Sequence, residues 1–111
     1  MKIATATDAF AALSQETRLA AFRLLVRAGP AGLPAGEIAR TLGTAPSTLS
    51  THLGLLQRAG LVSSERRSRR IVYRADFDGV GALMRYLMED CCKGHKTVQA
   101  AVRAAIEDEA A

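Results

Sequence analysis

At 111 residues with 49% hydrophobic side chains, the chain has room for one domain and one core, and it is too apolar to be disordered. A net charge of +4 and a pI near 9.6 point to an anionic partner such as nucleic acid or a membrane surface. No apolar run approaches the ~18–20 residues of a membrane span, and the two cysteines are adjacent, which excludes a disulfide framework; a cytoplasmic protein with no membrane partner is expected.

In chain order, Asp8 to Leu13 reads as a short amphipathic helix. Ser14 offers an N-cap for a second helix, Thr17 to Ala28, with Leu19, Phe22, Leu25 and Val26 marking its buried face. Gly29, Pro30, Gly32 and Pro34 keep the next stretch in a loop. A third helix over 35–42 turns Ile38 and Leu42 inward, and Gly43 suits a tight turn. Pro46 fits the first turn of a fourth helix running to about Ala59, with Leu49, Leu53 and Leu56 as its apolar stripe and Gly60 closing it. Leu61-Val62 starts a strand and Ile71-Val72-Tyr73 returns it, enclosing a polar, basic hairpin from Ser63 to Arg70. A fifth helix spans Phe77 to Cys92, with Val80, Leu83, Met84, Leu87 and Met88 on its apolar side and Gly94 as C-cap. A last short helix covers Val98 to Glu107. The pattern is one domain over 1–111, mainly α with a small β-hairpin.

Two helices joined by a short Gly-containing turn, over about 35–59, make a helix-turn-helix, and the hairpin at about 61–74 makes it a winged one. The second of these helices carries Ser47, Thr48, Ser50, Thr51 and His52 on its outward positions. Short hydrogen-bonding groups suit a helix lying deep in the major groove of double-stranded operator DNA. The hairpin adds Arg66, Arg67, Arg69 and Arg70, fitted to phosphates or to a narrow minor groove. Arg58, Arg66, Arg67, Arg69, Arg70 and Arg74 lie within seventeen residues and are opposed there only by Glu65, whereas Glu107, Asp108 and Glu109 make the far end acidic. A hydroxyl-rich helix face or a basic loop alone is common on solvated surfaces. Their order and spacing together are what favour DNA binding. His52 is ambiguous between a phosphate or base contact and simple packing.

Several segments together resemble the ArsR/SmtB family of metal-responsive repressors. They are Leu13-Ser14-Gln15-Glu16-Thr17-Arg18-Leu19, Glu37-Ile38-Ala39 with Leu42-Gly43, Ser47 to Leu53, Ala59-Gly60-Leu61-Val62 and Arg70-Ile71-Val72-Tyr73. The resemblance covers roughly residues 8 to 94. It implies a transcriptional repressor rather than an enzyme, acting as a homodimer whose interface is built by the first and fifth helices, about 8–13 and 77–94, and binding an inverted repeat. Of the family's ligand sites, the cysteine pair before the recognition helix is absent, because Pro34 and Gly36 stand there. The zinc site on the fifth helix is unsupported, because Phe77 and Gly79 occupy its start. Glu89-Asp90-Cys91-Cys92-Lys93-Gly94 resembles the Cys-Cys-x-Gly ending of an arsenic-responsive subgroup, which implies trivalent arsenic, as arsenite or methylarsenite, for the inducer.

The chemistry of Cys91 and Cys92 agrees with that reading. Adjacent Cα atoms are about 3.8 Å apart, below the ~4.4–6.8 Å of most disulfides, so a larger soft atom bridges the two sulfurs with less strain than an S–S bond. Soft thiolates select thiophilic ions. Lys93, His95 and Lys96 favour the thiolates, against the helix C-terminus, which disfavours them. Two sulfurs leave one place open on trivalent arsenic: water or a small thiol, a sulfur from the partner subunit, or a carbon already on a methylated arsenical. The alternatives are a redox or reactive-sulfur sensor on the same fold, and a pair of inert helix-end cysteines. A Cys92–His95 nucleophile lacks any visible oxyanion donor or orienting group, so no enzyme is expected.

Overall fold

The computed structural model describes residues 1–88 and 95–110. Four helices come before a small sheet is completed: α1 Ile3–Leu13, α2 Glu16–Ala28, then β1 Leu33–Pro34, α3 Ala35–Leu42, α4 Pro46–Arg58, β2 Val62–Arg67, β3 Arg70–Ala75, α5 Phe77–Tyr86 and α6 Lys96–Ala110.

The core is aliphatic. Leu25, Ile38, Leu49, Leu53, Leu56, Leu61 and Val62 are its largest fully buried side chains, and each contributes roughly 1.5–3 kcal/mol through removal from water. The Leu49, Leu53 and Leu56 stripe of α4 is buried as expected. α1 lies on this core through Ala6, Ala9 and Ala12, a row of small side chains that lets the helix approach closely.

Several boundaries differ from the sequence expectation. α1 begins at Ile3 rather than Asp8; Ile3 to Thr7 buries only Ala6 while its one large apolar residue, Ile3, is exposed, so the segment carries no helical apolar pattern to announce it. Ser14 does not cap α2. Its hydroxyl donates back to the Ala11 carbonyl at 2.9 Å and closes α1, while the Gln15 side chain accepts from the Arg18 N–H at 2.8 Å and caps α2. The buried face of α2 is carried by Ala21 and Leu25; Leu19 and Val26 are exposed and Phe22 is half-buried. α6 runs from Lys96 to Ala110, longer than Val98–Glu107. Cys91, Cys92 and the Gly94 cap lie outside the described residues.

The loop after α2 also holds a strand. Leu33 pairs with Tyr73 and Pro34 with Val72, giving a three-stranded antiparallel sheet in the order β1-β3-β2 rather than a lone hairpin. Gly32 permits the approach: its φ is +69°, and a Cβ there would overlap the Tyr73 carbonyl oxygen. The hairpin itself is almost all strand. β2 and β3 pair from Val62–Ala75 out to Arg67–Arg70, leaving only Ser68 and Arg69 as the turn, so Ser63 to Arg67 belongs to a strand and not to a loop.

Candidate nucleic-acid interface

α3 ends at Leu42, and Gly43 takes the left-handed conformation at φ 62°, ψ 34°, its N–H reaching back to the Ala39 and Arg40 carbonyls. Thr44 N–H also bonds the Ala39 carbonyl, at 3.0 Å. Pro46 occupies the first turn of α4, where a missing N–H costs no helix bond. This is a helix-turn-helix with a three-residue turn, Gly43 to Ala45, and α4 is its second helix.

Ser47, Thr48, Ser50 and Thr51 are all exposed on α4. Ser47, Thr48, Thr51 and His52 line one shallow hollow, which Ser50 does not join. The Thr51 hydroxyl donates to the Ser47 carbonyl at 3.4 Å, which leaves its oxygen lone pairs turned to incoming donors. His52 differs from these. It is half-buried, and its Nδ1 lies 3.3 Å from Nη1 of Arg18. Arg18 is itself anchored, its Nε donating to the Ala12 carbonyl at 2.7 Å. Arg18 is a site residue that sequence reasoning missed; its signal was its place in the family-like segment at the start of α2.

The wing is fixed to α4 from below. Leu61 N–H bonds the Leu56 carbonyl at 3.1 Å, and the Ser64 hydroxyl bonds Gln57 Oε1 at 3.3 Å. Strand alternation separates the four wing arginines. Arg66 stands opposite Ile71 on one face, Arg67 and Arg70 stand opposite each other on the other face, and Arg69 sits in the turn. Like charges directly opposed across two strands repel, and an anion between them relieves that repulsion. Arg67 is partly compensated: Glu65 Oε2 accepts from Arg74 Nη2 at 2.6 Å and from Arg67 Nη2 at 3.3 Å. Those two hydrogen bonds, Arg74 first, hold the Glu65 carboxyl below its ordinary range.

Residues 13–65 match the family described as a helix-turn-helix domain. The HTH-type transcriptional regulator YgaV of Escherichia coli is 33% identical over 81 residues, covering 73% of this chain and 80% of YgaV. An ArsR-like transcriptional regulator from Rhodococcus sp. RHA1 superposes with a TM-score of 0.71 at 31% identity, over 92% of this chain and 93% of its own. The chain belongs to the ArsR family. A homodimeric winged helix-turn-helix DNA-binding domain from Mycobacterium bovis, 25% identical, superposes with a TM-score of 0.64 over 85% of this chain and 87% of its own. The ArsR-family assignment makes the protein a DNA-binding transcriptional regulator, a class without enzymatic activity. Among the described residues no three His, Cys, Asp or Glu side chains gather into a metal-binding group, and no helix is long and apolar enough to cross a membrane.

Proposed function

We propose that this ArsR-family protein is a homodimeric repressor whose α4 reads operator DNA through Ser47, Thr48, Ser50, Thr51 and His52. Arg66, Arg67, Arg69 and Arg70 of the wing grip the flanking backbone, and trivalent arsenic bound by Cys91 and Cys92 releases the complex. The observation that carries the DNA half is the exposed hydroxyl face of α4 beside an arginine-rich wing tied to the same helix. Support for the dimer comes from apolar side chains left uncovered on α1, α5 and α6. Ile3 is 74% exposed and Ile106 63%, with Phe10, Phe77 and Met84 also exposed. A second copy is the partner that would bury them.

The arsenic half rests on the donor set. Two neighbouring sulfurs and no third cysteine in the chain suit a thiophilic centre that needs two thiols from the protein, as methylarsenite does. The test is an operator gel shift titrated with arsenite, methylarsenite, antimonite, zinc and cadmium. A trivalent arsenical releases the wild type, while Cys91→Ser and Cys92→Ser still bind the operator and are not released. Loss of operator binding in either variant would make the cysteines structural. Release by an oxidant or a polysulfide, with no response to arsenicals, would replace the inducer and keep the repressor.

A further inference from the structure

The Arg18–His52 contact has a chemical consequence for DNA reading. A guanidinium carries five N–H donors and no acceptor. Nη1 of Arg18 can therefore bond Nδ1 of His52, 3.3 Å away, only when Nδ1 offers its lone pair. In a neutral imidazole the proton then resides on Nε2. We infer that Arg18 is a positioning residue that locks His52 in the Nε2–H tautomer, so that α4 presents a fixed N–H donor to an acceptor atom of the operator, beside the hydroxyls of Ser47, Thr48 and Thr51.

Three further observations fit this role. Arg18 is held at both ends: its backbone N–H is accepted by Gln15 Oε1 at 2.8 Å and its Nε donates to the Ala12 carbonyl at 2.7 Å. The guanidinium therefore has little freedom to swing away from His52. Secondly, His52 shares the outward hollow of α4 with Ser47, Thr48 and Thr51, so its ring borders the surface assigned to DNA. Thirdly, the hydrogen bond found for the ring among the described residues is made at Nδ1, and none is made at Nε2. A polar N–H in that position is satisfied by water in the free protein and is available to a base-edge or phosphate acceptor in the complex. Donating to the Ala12 carbonyl also joins the end of α1 to the reading helix through one side chain.

The inference rests on α4 being the DNA-reading helix, but its first test does not. Long-range ¹H–¹⁵N correlation on the DNA-free protein reads the tautomer directly, and with only two histidines, His52 and His95, a His95→Gln variant assigns the signals. Expected is an unprotonated Nδ1 and a protonated Nε2 in the wild type, a mixture of tautomers in Arg18→Met, and recovery in Arg18→Lys, which keeps a donor. Operator affinity of Arg18→Met falls roughly five- to tenfold, the weight of one hydrogen bond. In a His52→Gln background, where an amide N–H donor stands in place of Nε2 and needs no tautomer selection, the same Arg18→Met change costs less than twofold. His52→Ala loses affinity on the operator alone if the acceptor is a base edge, and equally on an unrelated duplex if it is a phosphate; both outcomes support the donor role. A proton found on Nδ1 of wild-type His52 overturns the inference, even where Arg18→Met does not fold. So does an Arg18→Met penalty of equal size in both backgrounds. Failure of the wild type to bind any duplex would instead sink the DNA reading of α4 and leave the tautomer result standing.

Discussion

Gly79 sits in the first turn of α5 against the carbonyl of Gly60, and a Cβ there would overlap that oxygen. The obstacle is backbone, which cannot rotate aside as a side chain would. Gly79→Ala is therefore expected to destabilise the fold by about 1–3 kcal/mol, the usual cost of overpacking. Gly54, inside α4, has nothing within 4 Å of its built Cβ. Gly54→Ala is expected to stabilise by about 0.4–1 kcal/mol, by restricting the unfolded chain. Urea unfolding of the two DNA-free variants against the wild type measures both, and equal midpoints for Gly79→Ala and wild type would mean that α5 does not start where it is described. The sequence showed neither effect, since a glycine is the same letter whether it faces a carbonyl or open solvent. At the same scale, the Ser14 cap was misread because two adjacent polar residues competed for it. Gln15 has the longer reach to Arg18 N–H, while Ser14 satisfies the preceding helix.

Among elements, the wing shows how a run of similar residues becomes unequal once folded. Arg66, Arg69 and Arg70 carry no ion pair among the described residues, whereas Arg67 shares Glu65 with Arg74. Changing Arg66, Arg69 or Arg70 to Ala is expected to lower the slope of log affinity against log salt by about 1 each, with similar losses on all duplex sequences if the contact is to phosphate. Arg67→Ala should lower it by less, because its charge is partly matched already. Salt titrations by fluorescence anisotropy distinguish these, and four equal slopes would remove the distinction. Glu65 brings a pH dependence of known sign. Its folded pKa is depressed, so what it adds to wing stability is full above the ordinary carboxylate range and disappears as pH falls through the lowered folded value. The stability difference between wild type and Glu65→Gln should thus be constant from neutral pH down to about 4–5 and close only below that. Continued change between pH 6 and 8 would assign it to another group. The α3–turn–α4 unit was legible because each signal is local: Ile38 inward, Gly43 left-handed, Pro46 at a first turn, leucines at helical spacing. β1 was not, since two residues that include a proline carry no alternation, and only the distant partners Val72 and Tyr73 make them a strand. The α2 face was legible only in part. Of Leu19, Phe22, Leu25 and Val26, Leu25 is fully buried and Phe22 packs against the core, but Leu19 and Val26 are exposed and the small Ala21 is buried in their stead.

For the whole molecule, the aliphatic core holds α2, α3, α4 and the sheet together and takes in Ala6, Ala9 and Ala12 of α1 and Leu83 of α5, while Ile3 and Phe10 of α1, Phe77 and Met84 of α5 and Ile106 of α6 stay exposed. A dimer built on those faces sets the spacing of its two α4 helices, which must lie about 34–36 Å apart to enter successive major grooves. In the proposed function an arsenical bridging Cys91 and Cys92, which fall between α5 and α6 in the chain, has to be felt at that interface, and a coupling of about 1–3 kcal/mol suffices to change operator affinity roughly 5- to 150-fold. Linkage requires the same factor in the other direction. The decisive measurement is the affinity of the dimer for methylarsenite, determined by calorimetry with and without saturating operator duplex. Operator should weaken methylarsenite binding by the factor with which methylarsenite weakens operator binding; equal methylarsenite affinities in the two titrations would contradict the account.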